Sequence, residues 1–276
     1  RNIFRITPTF NFDYEGFLIE AGFNAVYEND TLGNSDELHF YPIAKASYKL
    51  SNGFSIYAGV GGDIQKNTLR SFVNENPYLN ANVPVFNTER NLEIYAGIEG
   101  KLNSKMGFAA GWNMSNYKNM YFFLNDSTDQ SRFDIIYNLE DTRILNIFGE
   151  LSFNKDEKLR INLRGDYYGY SVDNFEEAWH KPNYKLTVTS TYNLYDKFYF
   201  GAELFALGGI KALDRQTDET IDLDAAFDLN LRADYKLSDQ FSVFARFNNI
   251  FSQEYELLNN YPSRALQFMI GATYNF

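Results

Sequence analysis

The last twelve residues, Ala265-Leu266-Gln267-Phe268-Met269-Ile270-Gly271-Ala272-Thr273-Tyr274-Asn275-Phe276, alternate almost without error. Leu266, Phe268, Ile270, Ala272, Tyr274 and Phe276 fall on one side; Gln267, Met269, Gly271, Thr273 and Asn275 fall on the other. Side chains on a strand change face at every residue, so this segment belongs to a sheet with one apolar and one polar face. The chain stops on an aromatic residue inside that strand, as a barrel does when its last strand closes the sheet.

The same pattern runs outward through the chain. Across 221–237, Ile221, Leu223, Ala225, Phe227, Leu229, Leu231, Ala233, Tyr235 and Leu237 oppose a face dominated by Asp, Asn, Arg and Lys. At about 3.3 Å per residue, one strand of that extent is roughly 55 Å long, against a bilayer core of about 30 Å. Part of it is therefore expected to stand clear of a membrane. Segments 159–171, 184–194 and 241–251 alternate similarly, with Phe244 out of step. Less regular strands are expected at about 2–14, 17–29, 37–50, 54–68, 89–103, 106–124, 132–154 and 198–213.

Composition supports the same class. The 276 residues include 26 Phe and 21 Tyr, and aromatics reach 18%, an excess that suits two interfacial girdles. Mean hydropathy is only −0.40. No run approaches the ~20 apolar residues of a helical span, and no helix-period segment stands out. The reading is all-β: an antiparallel transmembrane β-barrel of about 13–14 strands in this chain, with no linker or domain boundary across 1–276. Zero cysteines suit export through an oxidising compartment. A net charge of −11 argues against nucleic acid as a partner.

Connections are asymmetric. Tight polar turns fall at Glu15-Gly16, Ser51-Asn52-Gly53, Asn103-Ser104-Lys105, Asn154-Lys155-Asp156-Glu157, Tyr195-Asp196-Lys197 and Ser238-Asp239. Longer loops lie at about 30–36, 69–88, 125–131, 173–183, 214–220 and 252–264. Outer-membrane barrels keep their short turns on the periplasmic side. The chain opens at Arg1 without an initiator Met or a signal peptide, as expected of a processed product or a fragment. With Phe276 at the periplasm, about thirteen strands put Arg1 outside. Even strand numbers then call for at least one strand upstream, the alternative being a closed barrel of about fourteen.

Phe244-Ala245-Arg246-Phe247-Asn248-Asn249-Ile250-Phe251, then Glu254-Tyr255 and Asn260-Tyr261-Pro262, resembles the end of TonB-dependent receptors. Asn260 stands where that family usually has Gly. Asn76-Pro77-Tyr78-Leu79 with Asn91-Leu92-Glu93-Ile94-Tyr95-Ala96-Gly97, and Trp179-His180-Lys181-Pro182 leading into Tyr184-Lys185-Leu186, look like further family landmarks in family order. The resemblance implies a larger barrel of about twenty-two strands, of which this chain is the carboxy-terminal portion. Its plug and TonB-contacting segment would lie before Arg1, outside this chain. It implies import of a scarce solute, a siderophore, a glycan or similar, across the Gram-negative outer membrane. Plugless relatives imply an alternative, a scaffold barrel in an outer-membrane assembly or secretion complex.

The implied partners are outer-membrane lipid and lipopolysaccharide, the barrel-assembly machinery, TonB or a surface lipoprotein, and other subunits of a membrane complex. The assembly signal would be Phe276 with Tyr274 and Phe268. On the expected external loops, Tyr78, Trp179 and Tyr261 are candidate ligand aromatics, with Phe86 beside them; the bland reading is an outer aromatic girdle. Catalysis is not expected. Cys is absent, and His39 with Ser47 or Ser55 is a pair any barrel offers by chance. No cofactor is expected. Asp173, Glu176, Glu177 and His180, and Asp214, Asp218, Glu219 and Asp222, lack the spacing of a calcium loop and read as solvated carboxylates. Arg160, Arg164, Arg232 and Arg246 are expected to face the lumen, pairing with Asp166, Asp228 and Asp234 across the wall.

Overall fold

A computed structural model describes residues 2–30, 35–51 and 53–276. The wall begins with β1 (Asn2–Ile6), β2 (Thr9–Tyr14), β3 (Phe17–Asp30), β4 (Ser35–Ser51) and β5 (Phe54–Gln65). A short helix, α1 (Leu69–Glu75), intervenes before β6 (Thr88–Lys101) and β7 (Met106–Lys118). A hairpin of β8 (Met120–Asn125) and β9 (Phe133–Asn138) precedes β10 (Thr142–Lys155), β11 (Leu159–Val172), β12 (Tyr184–Leu194) and β13 (Phe198–Gly208). A second hairpin, β14 (Ile210–Asp214) and β15 (Glu219–Leu223), leads to β16 (Ala226–Lys236) and β17 (Phe241–Asn248). A small third hairpin, β18 (Glu256–Leu258) and β19 (Tyr261–Pro262), precedes β20 (Gln267–Tyr274).

The wall is one 14-stranded antiparallel sheet in the order β1-β3-β4-β5-β6-β7-β10-β11-β12-β13-β16-β17-β20, with β2 also paired to β3. β1 and β2 are two halves of one strand in a single register, from Asn2↔Asn29 through to Tyr14↔Phe17. The gap between them falls at Thr7-Pro8, where proline has no N–H to offer the ladder. Counting that strand once gives the thirteen expected. Among the described residues β20 pairs with β17 alone, so the sheet is not closed onto β1. The fourteen of the topology therefore arise from one interrupted strand and not from closure.

Several long strands expected from alternation are broken. The 106–124 strand divides at Asn119, whose φ is +54°. The 198–213 strand divides at Gly209, with φ +69°. The 132–154 and 221–237 strands divide between β9 and β10 and between β15 and β16. Each outer piece leaves the wall to pair in its own hairpin, β8 with β9 and β14 with β15. The 55 Å strand is thus two elements, and the part clear of the wall is a separate ribbon. α1 is a further correction to the strand-only expectation.

Turn chemistry sets the short rim. Glu15 and Gly16 have φ of +48° and +87°, and Tyr195 and Asp196 have +54° and +55°. Two positive-φ residues between antiparallel strands make the hairpin turn whose twist matches its flanking strands. The loop expected at 30–36 lies largely outside the described residues, as does Asn52 of the Ser51–Gly53 turn.

On the apolar face Phe10, Phe268 and Ile270 are exposed, while Asn24, Ser115 and Asn146 are buried on the polar face. On that polar face Tyr95 leans onto its register partner Gly59, and Tyr57 leans onto Gly97. Phe244, out of step in sequence, covers Gly271 opposite it. A Cβ at any of these glycines would meet ring atoms, so ring and glycine are a matched pair.

Candidate functional site

The densest packing lies in a cap of loops and hairpins at the long-loop rim. α1 starts at Thr68, whose Oγ1 accepts from the Ser71 N–H at 3.0 Å while Ser71 Oγ accepts from the Thr68 N–H at 2.9 Å. That reciprocal cap satisfies two amides at the helix start. The helix then buries Phe72 edge-on against Tyr121, with ring centres 4.7 Å apart. The β8–β9 hairpin is covered on both faces. Phe123, Phe133 and Ile135 pack with Phe72 and Leu79; Phe122 and Leu124 pack with Ala178 and Trp179. The 76–80 loop is stitched to β9 by backbone bonds, Phe133 N–H to the Tyr78 carbonyl at 3.0 Å and Asn80 N–H to the Phe133 carbonyl at 2.9 Å.

His180 ties three of these segments together. Its φ is +57°, its Nδ1 lies 2.8 Å from the Phe123 carbonyl, and its Nε2 accepts from the Asn259 N–H at 3.3 Å. Only the neutral ring protonated on Nδ1 satisfies both contacts. Burial pushes its pKa down to about 4, with the nearby Lys181 charge acting in the same direction. Beside it Asn259 Nδ2 donates to Asn125 Oδ1 at 3.3 Å, and Asn125 Nδ2 donates to the Gln130 carbonyl at 2.8 Å. Tyr78 and Tyr261 stack with centres 3.4 Å apart, and the Tyr261 hydroxyl donates to the Ser131 carbonyl. Lys181–Glu75 at 2.7 Å, Lys211–Glu177 at 2.5 Å and Arg215–Asp134 at 3.0 Å link the loops at their edges.

No protein-family model matches the chain, and no curated protein does. Solved structures match over almost its whole length. The Pseudomonas aeruginosa outer-membrane ferripyoverdine receptor bound to ferripyoverdine superposes at TM-score 0.69 and 15% identity, covering 99% of this chain and 38% of that one. The fold is that of the TonB-dependent receptor barrel. The ferric-catecholate import receptor Fiu from E. coli K12 matches at 0.67 and 12% identity, over 99% and 44% of the two chains. The copper transporter OprC matches at 0.65 and 13%, over 99% and 47%. The chain spans about two fifths of the length of the receptors it matches first, 37–41%.

Within this receptor-type barrel the sequence-derived candidates separate. Tyr78 and Tyr261 come together, half-buried, on top of Phe133. Trp179 does not join them, being 3% exposed and enclosed with Phe122. Phe86 packs edge-on against Tyr137. Phe268, Tyr274 and Phe276 stand exposed on or beyond β20, with Tyr274 opposite Phe241. His39 is eight residues from Ser47 along β4, about 26 Å, and Ser55 pairs farther on with Lys49. No hydrolase pair forms there.

The two acidic loops are held by their own contacts. Asp214 Oδ1 accepts from the Gln216 N–H at 2.8 Å as a turn cap, and Glu177 is paired with Lys211. Among the described residues neither loop gathers three donor atoms. The arginine–aspartate pairs form along single strands and not across the wall as expected: Arg164 grips Asp166 at 2.9 Å within β11, and Arg232 grips Asp234 at 2.5 Å within β16. The cross-strand partner of Arg164 is Glu150, at 3.2 Å. Arg246 lies 5.1 Å over the Phe244 ring. Among the described residues Asp228 has no arginine partner; its Oδ1 accepts from the Leu229 N–H at 2.6 Å.

Sequence reading missed the cap as a body. The non-alternating run Met120-Tyr121-Phe122-Phe123-Leu124 was its signal, because an apolar strand without alternation is buried on both faces.

Proposed function

We propose that this chain forms the later strands of an outer-membrane import receptor, with the short turns at the periplasm and the cap outside as part of the solute mouth. The plug and the TonB-contacting segment would belong to other parts of the protein. The observation that carries the reading is the cap itself, four loop segments fastened over a receptor-type wall through His180 and the Tyr78–Tyr261 stack. A rigid, partly aromatic surface at the mouth is suited to capturing a planar or sugar-like solute before the plug moves aside. The solute class is a scarce nutrient complex such as a siderophore or a glycan.

The test is binding and uptake by the full-length protein in cells, with ferric siderophores and oligosaccharides as probes. Tyr261→Ala is expected to weaken capture of the cognate probe at least tenfold while the protein still reaches the membrane. Absence of uptake for every probe, with stable co-purification of other membrane subunits, would favour a scaffold and defeat the import reading. For biogenesis we propose that Phe276, with Tyr274 and Phe268, is read by the assembly machinery. Deleting Phe276 is expected to reduce the membrane-inserted fraction severalfold, scored by heat-modifiable mobility, and normal insertion would refute that role.

A further inference from the structure

We infer that Glu28, Glu37 and His39 bind one divalent transition-metal ion on the polar face of the wall, where β3 and β4 approach the long-loop rim. The register places Glu28 directly opposite Glu37 on the neighbouring strand, with His39 two residues along on the same face. Like charges directly opposed across a ladder destabilise it. Among the described residues the only basic group within 4.0 Å of Glu28, Glu37 or Glu89 is the His39 ring. The arrangement therefore concentrates negative charge that one cation would balance.

The distances are those of a coordination edge. His39 Nε2 lies 3.4 Å from Glu28 Oε1 and 3.5 Å from Glu37 Oε2, and the donor atoms of the three residues fall within 4.8 Å of one another. A tetrahedral ion bound at about 2.0–2.1 Å holds its donors about 3.3 Å apart. An imidazolium hydrogen-bonded to carboxylates would draw them in to about 2.7–2.9 Å. Nε2 is instead buried and without a hydrogen-bond partner.

The outer contacts also fit. Glu89 Oε1 stands 3.4 Å from His39 Nδ1 and accepts from the Tyr41 hydroxyl at 2.9 Å. A carboxylate behind the far ring nitrogen fixes the tautomer that presents a lone pair at Nε2. Asn87 Nδ2 donates to Glu28 Oε2 at 2.6 Å, which leaves Oε1 turned to the imidazole. The His39 ring stacks parallel to Tyr41, 6° apart in plane. Glu37 is 54% exposed, so the third donor comes from the solvent side and the fourth position faces water. One imidazole with carboxylates favours zinc, nickel or copper over calcium or magnesium. The chain has no cysteine, and its other histidine, His180, is consumed in the cap, so imidazole ligation can come from His39 alone.

This site is independent of whether a solute is imported. It is tested on the full-length protein in detergent micelles, with zinc titrated by calorimetry and cobalt followed by its visible absorption. The expectation is one equivalent of zinc bound with micromolar affinity and an upward shift of the unfolding midpoint. His39→Ala and Glu28→Gln should each weaken binding at least tenfold. Glu89→Gln, which keeps every ligand, should weaken it about 10–100-fold. Glu176→Gln, on an exposed loop, should change nothing. If His39→Ala fails to fold, Glu37→Gln carries the test, because its side chain is half in solvent. No zinc bound at about 100 μM, or equal affinity in wild type and the site variants, would overturn the inference.

Discussion

In the cap, Phe72, Phe122, Phe123 and Phe133 are 0–1% exposed, whereas in the wall Phe10, Phe268 and Ile270 are 71–81% exposed. The same kinds of side chain thus have opposite fates in one chain. A wall strand turns every second residue outward and relies on hydrocarbon to cover it. The cap assembles its own interior from helix, hairpin and loops, as a small soluble domain does. Its order consequently rests on a few large rings and on polar pins such as His180, while the wall's order rests on continuous ladders. Perturbing a ring should loosen the cap and spare the wall; perturbing the outer wall should do the reverse.

The largest effect is expected at Phe133. Phe133→Ala should cost the cap about 3–5 kcal/mol, seen as faster proteolysis and amide exchange across 68–87 and 173–183, with membrane insertion retained. Loss of insertion would mean that the two regions are not separable. Next is the wall. Leu231 is 39% exposed on the apolar face, so Leu231→Arg should cost about 2–4 kcal/mol near mid-membrane in denaturant unfolding from vesicles. Asn230→Arg, on the polar face, should be mild, and equal penalties at the two neighbours would break the assignment of faces.

The smallest of the three is pH. His180's folded pKa of about 4 lies below the ordinary 6.5, so its contribution is complete above pH 6.5 and is lost as pH falls towards 4. At pH 5 the cap should be weakened by about 2 kcal/mol, measured as a lower protection factor of the Asn259 amide, with the intrinsic pH dependence of exchange divided out. His180→Gln should abolish the pH dependence.

The wall was legible because its physics is a period of two repeated thirteen times, and even the misfit at Phe244 had a reason in Gly271 opposite. The ends of the strands were not. A single left-handed residue, Asn119 or Gly209, redirects the chain without disturbing alternation, so wall strand and free ribbon read as one. α1 escaped because seven residues make barely two turns, although Thr68-Leu69-Arg70-Ser71 carried its capping signal. Trp179 and Tyr261 looked alike in sequence, yet one is enclosed and the other half-open; that difference depends on which loops meet, and local pattern does not encode it. The His39 cluster was likewise invisible until the β3–β4 register set Glu28 against Glu37.

The rings of Tyr57, Tyr95 and Phe244 fold down onto glycines instead of standing off the inner surface. The lining at those heights is accordingly low in relief. A bulkier residue at Gly59 would raise the Tyr95 ring off that lining like the tooth of a ratchet.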